Sequence, residues 1–311
     1  MKQKIVIALG GNALGETPSE QRDAVAIAAR SIVDLIALGH DVTVVHGNGP
    51  QVGMIHLAFD IAAQQTEDIP EMPFAEASAM SQGYIGYHLQ NAVGNELRER
   101  TIDKSVATVL TQVVVDKQDP AFTTLTKPIG PFYDEVTMLA LSEKNGYTYI
   151  EDSGRGYRRV VASPMPVTVV ERDAIKSLVD AGVLVISNGG GGIPVIEENG
   201  KYVGVDAVID KDNAASKVAD EIDADILVIL TGVDKVAIHY GKFNQEWLTT
   251  LTIPMANQYI NEGHFAPGSM LPKVEASVRF VEGRQNRKAI ITSLENAHLA
   301  ISEGNGTTIQ S

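Results

Sequence analysis

The sequence predicts an α/β fold in which helices cover both faces of a mostly parallel sheet. The first observation is a set of short runs rich in β-branched residues, as in buried strands. They are IVIAL (5–9), DVTVV (41–45), VATVL (106–110), VLVIS (183–187), DILVIL (225–230) and KAIIT (288–292). The second is that amphipathic helical stretches alternate with these runs. Strands and helices that alternate in this way pack as a parallel sheet between helical layers.

The first helix is the element that the sequence specifies most fully. Thr17 and Glu20 have the spacing of a capping box, and Pro18 suits the first helical position. Apolar residues then recur at helical spacing as one stripe: Val25, Ala28, Ala29, Ile32, Leu35 and Ile36. Gly39 follows at a position suited to the left-handed conformation that ends many helices.

Residues 116–166, here called the flap, interrupt the alternation of strands and helices. They contain KPIGPFYDE, a short helical pattern, and two strand candidates, YTYIED and YRRVVA, joined by SGRG. This composition predicts a small excursion from the main sheet. A separate hairpin is predicted where Asn199 and Gly200 lie between PVIEE and KYVGV. We therefore expect a single compact unit with two lobes and a protruding flap.

Composition and charge limit the classes of function. Lys and Arg number 25 against 39 Asp and Glu, and the formal net charge of −14 repels nucleic acids and anionic membranes. The chain has no cysteine, which excludes disulfides, thiolate zinc sites and cysteine nucleophiles. The start, MKQKIVIALGG, has only a short apolar run, less than a signal peptide or a membrane span needs. We expect a cytoplasmic protein.

Three predicted strands run directly into glycine-rich turns. These turns are ALGGNALG (8–15), HGNGPQVG (46–53) and SNGGGGIPV (187–195). In a parallel sheet they would share the carboxyl edge, where backbone N–H groups can bind an anion. Any one of them is equally explained by a tight turn that needs a positive φ. The three together favour a ligand site.

Familiar nucleotide motifs do not fit these turns. GGNALGET (10–17) follows the Walker A frame, but Glu16 stands where the lysine belongs. GNGPQVG is one residue too long for GxGxxG, and the second strand ends in His46 rather than in an acid. A P-loop and a dinucleotide-binding fold are therefore disfavoured. His46 is predicted to be a packed or capping residue, because the histidines are scattered without an HxxxH pair.

Two lysines stand near the amino ends of predicted helices. PGSMLPKVEASVRFVEG (267–283) predicts a helix entered through Ser269 with Lys273 in its first turn. Lys211, in VIDKDNAAS (208–216), stands just before a helix predicted to open at Asn213. A cation at this end opposes the helix dipole and costs about 0.3–1 kcal/mol. An isolated DKD is also typical of a solvated turn, but two lysines misplaced in the same sense suggest a bound anion.

Lys127 is a third candidate, in the flap beside Pro128, although a flap lysine is also typical of solvated surface. Three cations and oriented N–H groups are what phosphoryl transfer needs, because charge spreads over the γ-phosphate oxygens and no covalent nucleophile is required. Flanking acids such as Asp212 keep a lysine charged and aimed. This interpretation makes the chain a phosphotransferase.

Seven segments taken together resemble the carbamate kinases, a branch of the amino-acid kinase family, essentially from end to end. They are LGGNAL, HGNGPQVG, KPIGPFY, SNGGGGIPV, VIDKDNAAS, LTGVDKV and PGSMLPKVEA. The resemblance implies a three-layer αβα sandwich around a mostly parallel open sheet, with the flap as a small protruding subdomain. It further implies one domain over 1–311, with an acceptor-binding lobe (1–215) and an ATP-binding lobe (216–311).

Site roles follow from the same resemblance. Lys211 and Lys273 would stabilise the transferring phosphoryl group, and Asp212 would orient them. Many relatives carry a lysine where this chain has Ala8, so Lys127 would reach in from the flap instead. The acceptor and γ-phosphate would be held by Gly10, Gly11, Asn12, Gly47, Asn48, Gly49, Gly190 and Gly191. The nucleotide would be bound by Thr231, Gly232, Val233, Asp234, Tyr240 and Met270.

The implied reaction is reversible phosphoryl transfer between ATP and carbamate, with Mg²⁺ held mainly by the nucleotide phosphates. In cells it would run mostly toward ATP, in arginine or purine-derivative fermentation. The resemblance also implies a homodimer, and the helical region 75–100 is our expected interface. Two alternatives stay open. One is a related kinase acting on acetylglutamate, glutamate, aspartate or UMP, and the other is a nucleotide- or oxyanion-binding protein without turnover.

Overall fold

The structure is a computed structural model that describes residues 2–10, 14–15, 17–152 and 154–311. Its α-helices are α1 (Pro18–Ala37), α2 (Gln51–Ala63), α3 (Phe74–Glu99), α4 (Glu135–Asn145), α5 (Arg172–Asp180), α6 (Lys211–Glu221), α7 (Ile253–Asn261), α8 (Met270–Glu282) and α9 (Ala297–Ser302). Its strands are β1 (Lys4–Leu9), β2 (Asp41–His46), β3 (Val106–Thr108), β4 (Gln112–Val115), β5 (Lys127–Tyr133), β6 (Tyr149–Glu151), β7 (Tyr157–Val161), β8 (Pro166–Val169), β9 (Leu184–Ser187), β10 (Ile193–Glu198), β11 (Lys201–Gly204), β12 (Ile226–Thr231), β13 (Val236–Ile238), β14 (Glu246–Leu248), β15 (Thr250–Thr252), β16 (Lys288–Ser293) and β17 (Thr307–Gln310). Among the residues described, none of these helices is long and apolar enough to cross a membrane.

The main sheet has the strand order β15-β17-β16-β12-β1-β2-β9-β3. Its strands pair in parallel except β16 and β17, which are antiparallel. The six predicted runs supply β1, β2, β3, β9, β12 and β16. The predicted α/β class and the mostly parallel sheet are therefore confirmed.

Helical layers cover both faces of this sheet. Because successive side chains of a strand point to opposite faces, β1 contributes to two cores. Val6 and Ala8 pack in the core that α5, α6 and α8 complete. Ile5 and Ile7 pack in the core that α1, α3 and α9 complete. The result is the expected three-layer αβα sandwich.

The local signals of α1 are also confirmed. Thr17 and Glu20 form the reciprocal hydrogen bonds of a capping box, with Thr17 N donating to Glu20 Oε2 at 3.0 Å. All six residues of the predicted apolar stripe are buried. Gly39, just after the helix, has a φ of 89°, which is the left-handed geometry expected there.

Within the flap, β5, β7 and β6 pair in that order as an antiparallel sheet. The predicted segments YTYIED and YRRVVA supply β6 and β7, whereas KPIGPFY forms an additional strand, β5, that its pattern did not predict. Pro128, Gly130 and Pro131 argue against a strand. The chain accommodates them at a register shift between Ile129 and Tyr133.

Two further expectations can be compared with the structure. The hairpin at Asn199 and Gly200 is confirmed, since β10 and β11 pair antiparallel around it and both residues have positive φ. The prediction that a helix opens at Asn213 is wrong. Helix α6 begins at Lys211, because Asp210 is the N-cap and its side chain accepts the N–H of Asp212. An aspartate is a strong N-cap in its own right.

Candidate active site

The glycine turns meet at the carboxyl edge of the sheet, because β1, β2 and β9 are neighbours. Gly47 N–H donates to the carbonyl of Leu9 at 3.1 Å, which joins the ends of β1 and β2. A cavity of about 250 Å³ opens above these strand ends. Its lining includes Gly47, Asn48, Gly49 and Gly190 from the predicted phosphate-binding set. Gly11 and Asn12, from the same set, lie outside the described residues.

A buried aspartate joins two of the predicted lysines at this cavity. Asp212 is 2% exposed and begins α6 together with Lys211. Its Oδ1 accepts from Lys211 Nζ at 2.5 Å, and its Oδ2 accepts from Lys273 Nζ at 2.8 Å. Two ammonium groups on one carboxylate leave one positive charge uncompensated by this aspartate. The amino ends of α6 and α8 add their dipoles, so the arrangement favours an anion.

The two lysines do not share the same electrostatic environment. Burial lowers the pKa of Lys211, but the carboxylates of Asp212 and Asp210 outweigh it, and the net pKa is raised. Lys273 has Asp212 as its hydrogen-bonded carboxylate, and burial together with the charge of Lys211 lowers its pKa. Lys211 is therefore the more firmly charged member of the pair.

The flap lysine reaches the same cavity. Lys127 Nζ donates to Asp210 Oδ2 at 2.8 Å, while Asp210 Oδ1 accepts the backbone N–H of Asp212. Burial acts to raise the pKa of Asp210, but the charges of Lys127 and Lys211 outweigh burial and hold that pKa well below its usual range. The structure thus brings Lys127, Lys211, Lys273 and Asp212 together.

Asp210 is the residue of this cluster that sequence reasoning missed. It was visible as the first acid of DKD, but the capping role was given to Asn213 instead. As the N-cap, Asp210 fixes the start of α6 and receives the flap lysine with its second oxygen. One carboxylate therefore connects the flap to the helix that carries Lys211.

The floor of the cavity is glycine for steric reasons. A Cβ on Gly190 would lie 2.3 Å from Asn48 Nδ2, and one on Gly191 would lie 2.1 Å from the carbonyl oxygen of Ile209. Both glycines also have positive φ. Gly191 packs against the backbone of Ile209, just before α6, and does not line the cavity in the described part of the chain. The predicted contact with phosphate fits the position of Gly190 better than that of Gly191.

The stem of Lys211 passes over the other two glycine turns. A Cβ on Gly10 would lie 3.9 Å from Lys211 Cε, and one on Gly47 would lie 3.5 Å from Lys211 Cδ. Gly10 and Gly47 therefore lie beside the stem of Lys211. Ala8 is fully buried in the core below.

His46 ends β2 beneath this floor and is 1% exposed. Its Nδ1–H donates to the carbonyl of Gly47 at 2.6 Å. Burial lowers the pKa of His46 to about 4, although the Gly47 hydrogen bond opposes the shift. The ring is thus a neutral, packed support for the turn, as the sequence predicted.

The predicted nucleotide-binding residues lie around a separate cavity of about 530 Å³. Gly232, Val233 and Asp234 line it, together with Lys235 of the same LTGVDKV segment and Trp247, which the sequence did not indicate. Trp247 was missed because it lies in β14, outside LTGVDKV, where no local pattern marks it.

The other three predicted nucleotide residues are not part of the described lining of this cavity. Tyr240 is exposed and meets Trp247 edge to face, with ring centroids 6.1 Å apart. Thr231 ends β12 and Met270 begins α8. Within the described ranges, none of the three is among the residues that line the cavity.

Comparisons with known proteins agree with this architecture. The model of the amino acid kinase family matches residues 3–293. The carbamate kinase-like protein YqeA of Escherichia coli (strain K12) is 56% identical, with 99% of each chain covered. A carbamate kinase of Staphylococcus haemolyticus is 52% identical, also with 99% of each chain covered. The solved structure of a carbamate kinase from Giardia lamblia bound to AMP-PNP has a TM-score of 0.91 at 42% identity, covering 99% of this chain and 98% of that one. The chain belongs to the amino acid kinase family.

Proposed function

We propose that this protein is a carbamate kinase, which transfers a phosphoryl group reversibly between ATP and carbamate. The observation that carries the proposal is the buried carboxylate of Asp212, which holds Lys211 and Lys273 at the amino ends of two helices beside a glycine floor. Relatives named carbamate kinases at about half identity support carbamate as the acceptor.

In the forward direction an oxygen of carbamate attacks the γ-phosphorus of ATP. A P–O bond forms to carbamate, the bond to the β-phosphate oxygen breaks, and the products are carbamoyl phosphate and ADP. The transition state is loose, so charge is spread over the transferring oxygens and the leaving group. Lys211 and Lys273 stabilise this charge, and Asp212 fixes both ammonium groups in advance. No covalent intermediate on the protein is required.

Lys127 serves the acceptor side. In the structure its ammonium is held by Asp210 at the rim of the cavity. The carboxylate of carbamate would compete with Asp210 for this ammonium group. The flap would thus supply the cation on the acceptor side, at which β1 has Ala8 instead of a lysine. The backbone of Gly47, Gly49 and Gly190 forms the opposing wall.

The nucleoside occupies the cavity at Gly232, Val233 and Asp234, with Trp247 as an aromatic wall. On this proposal the chain consists of an acceptor-binding lobe over 1–215, with the flap, and an ATP-binding lobe over 216–311. In the described part of the chain no group of three or more acidic or histidine side chains could hold a metal. Asp210 and Asp212 are already paired with lysines. We propose that magnesium arrives as part of the substrate, MgATP, bound to its phosphates.

A homodimer formed through the region 75–100 is part of the proposal. On helix α3, Tyr87 is 64% exposed, and Leu110 is exposed nearby on the chain after β3. Strand β3 ends the main sheet, so it offers an edge that a second copy can cover. Light scattering at micromolar concentration should give twice the chain mass, and Tyr87→Glu should shift the protein to a monomer. A monomeric mass for the unchanged protein would exclude the dimer.

The decisive experiment is to measure ADP formation from ATP with carbamate, acetylglutamate, glutamate, aspartate and UMP side by side. Turnover with carbamate alone supports the proposal. Turnover with another acceptor identifies a related kinase instead. Tight nucleotide binding without turnover on any acceptor would identify a binding protein.

A further inference from the structure

A second cavity lies on the other side of the flap strand that carries Lys127. It has a volume of about 110 Å³ and is bounded by α2 below and by the inner face of the flap above. Gly53, Ile129 and Gly130 line both this cavity and the candidate active site. At that boundary the two elements nearly touch, since a Cβ on Gly53 would lie 2.6 Å from Gly130 N.

The cavity contains a cation that has no acidic partner in hydrogen-bond distance. Arg159, on β7, makes no hydrogen bond or ion pair with the residues that the structure describes. Its guanidinium lies flat on the ring of Tyr147, 3.4 Å from the centroid. The neighbouring arginines differ, because Arg155 and Arg158 are both ion-paired with Asp152. Stacking on Tyr147 covers the flat face of Arg159 and leaves its N–H edge free for a bidentate acceptor.

The remaining polar groups of the cavity favour an anion with hydrogen-bonding capacity. The hydroxyls of Tyr133, Tyr147 and Tyr149 have no protein partner in the described ranges. His56 and Asp60 are paired with each other, with 3.2 Å between Nδ1 and Oδ2. Burial lowers the pKa of His56, so its ring is neutral near pH 7. Arg159 is therefore the cation of this cavity, and it shares the lining with the carboxylate of Asp60, whose pKa burial raises.

The other walls favour a flat apolar body of limited size. Leu57, Ile61 and Leu141 line the cavity opposite the tyrosines. Tyr133 and Tyr149 meet edge to face, with centroids 6.0 Å apart, so they form one continuous aromatic wall. An apolar cavity of about 150 Å³ holds benzene, so this one accepts a slightly smaller body.

We propose that this cavity is a second ligand site, which binds a small planar carboxylate. The carboxylate lies against the edge of the Arg159 guanidinium, and the planar body packs among the tyrosines and aliphatic side chains. The site is separate from the acceptor site of the proposed function, and binding to it can be measured without any turnover. An occupant would bridge α2 and the flap.

The test is isothermal titration calorimetry on the full chain with three probes of one shape and different charge: 2-furoate, 2-furamide and furfurylamine. We expect 2-furoate to bind with a dissociation constant of about 1 mM or below, as its size allows. The neutral and cationic probes should bind at least about tenfold more weakly, because they cannot accept two charged hydrogen bonds. Absence of saturable 2-furoate binding overturns the proposal.

Variants locate the site. Arg159→Gln should weaken 2-furoate about tenfold or more, whereas Arg155→Gln, the same change outside the cavity, should leave it unchanged. Lys127→Ala should also leave it unchanged, because that lysine faces the other cavity. Binding that survives Arg159→Gln, or that disappears with Lys127→Ala, assigns the carboxylate elsewhere and refutes the inference. Should Arg159→Gln fail to fold, the order of the three probes on the unchanged protein decides.

Discussion

Lys127 Nζ lies 2.8 Å from Asp210 Oδ2, so the flap is tied to the residue that caps α6. The same carboxylate accepts the N–H of Asp212, which in turn binds both remaining lysines. Three cations and two acids thus form one continuous network. Because its members are connected, a substitution at one of them affects the others. Substitutions in this network should change kcat and ligand affinity to different extents.

Lys211→Ala should lower kcat by at least about 10²–10³-fold, since it removes a cation that stabilises charge developed in the transition state. Lys211→Arg should also fail, because a planar guanidinium fork cannot replace a compact ammonium point charge at Asp212. Lys217→Ala, on the same helix, serves as the control and should keep full activity. Steady-state kinetics with a thermal unfolding check would show whether the alanine variant is folded yet slow. Near wild-type kcat would falsify the role.

Asp212→Asn should lower kcat and move the alkaline limit of activity to lower pH. The pKa of Lys273 is already lowered by burial and by Lys211, and Asp212 opposes that shift. Without the carboxylate the pKa falls further, and the lysine loses its proton as pH rises through the lower value. The measurement is kcat against pH for both proteins. An unchanged alkaline limb, or lost nucleotide affinity with kcat intact, would make Asp212 a binding residue instead.

Lys127→Ala should strongly lower kcat/KM for carbamate and change ADP affinity little, because we propose that this lysine serves the acceptor side. Lys117→Ala, an exposed lysine in the same flap, is the matched control. Equilibrium ADP binding and ATP synthesis from carbamoyl phosphate should be measured on both. Full ATP synthesis by Lys127→Ala would mean that this lysine only anchors the flap to Asp210.

Gly191→Ala should destabilise the fold more than Gly200→Ala. Both glycines have positive φ, but a Cβ on Gly191 would meet the Ile209 carbonyl at 2.1 Å, whereas one on Gly200 meets nothing within 4 Å. The strained backbone alone costs about 1 kcal/mol in each, and the collision adds to that only at Gly191. Urea unfolding should therefore give a clearly larger loss for Gly191→Ala. Equal losses would show that the turn relaxes freely.

His46→Gln should flatten the dependence of stability on pH between about 4 and 6.5. The folded pKa of His46 is lowered to about 4, so the unfolded chain binds more protons in this window and stability falls as pH falls. This pKa shift corresponds to a loss of folding free energy on the order of 3 kcal/mol once the pH is below the folded pKa. Comparing urea unfolding of both proteins at pH 7 and pH 4.5 isolates it from the other titrating groups. If both proteins lost the same free energy of unfolding between pH 7 and pH 4.5, the lowered pKa of His46 would be contradicted.

Local signals account for what the sequence predicted well. Thr17 and Glu20 are three residues apart, and the β-branched runs carry their own periodicity, so α1 and the main sheet could be predicted. Contacts between distant segments could not. Lys127 and Asp210 are 83 residues apart, and no local pattern indicates that they meet. The strand β5 was missed for the opposite reason, because its prolines and glycine oppose a strand and only pairing with β7 overrides them.

The candidate site residues show the same difference between local signals, which the sequence carries, and long-range contacts, which it does not reveal. Charge placement at predicted helix ends indicated Lys211 and Lys273, because the cost of a cation at a helix amino terminus is local. Asp210 was overlooked because its capping competes with that of Asn213, and only the three-dimensional course of the chain decides between them. Trp247 lies in a strand with no feature that links it to LTGVDKV.

The glycine floor also bears on how this enzyme could be altered. Because Gly190 leaves no room for a side chain, point substitution there cannot reshape the wall of the cavity on that side. New acceptor preferences would have to come from across the cavity, where Pro128, Ile129 and Arg158 present side chains. Directed evolution toward a larger acceptor should accordingly accumulate its changes at these three positions, keep Lys127, and leave the four consecutive glycines at 189–192 untouched.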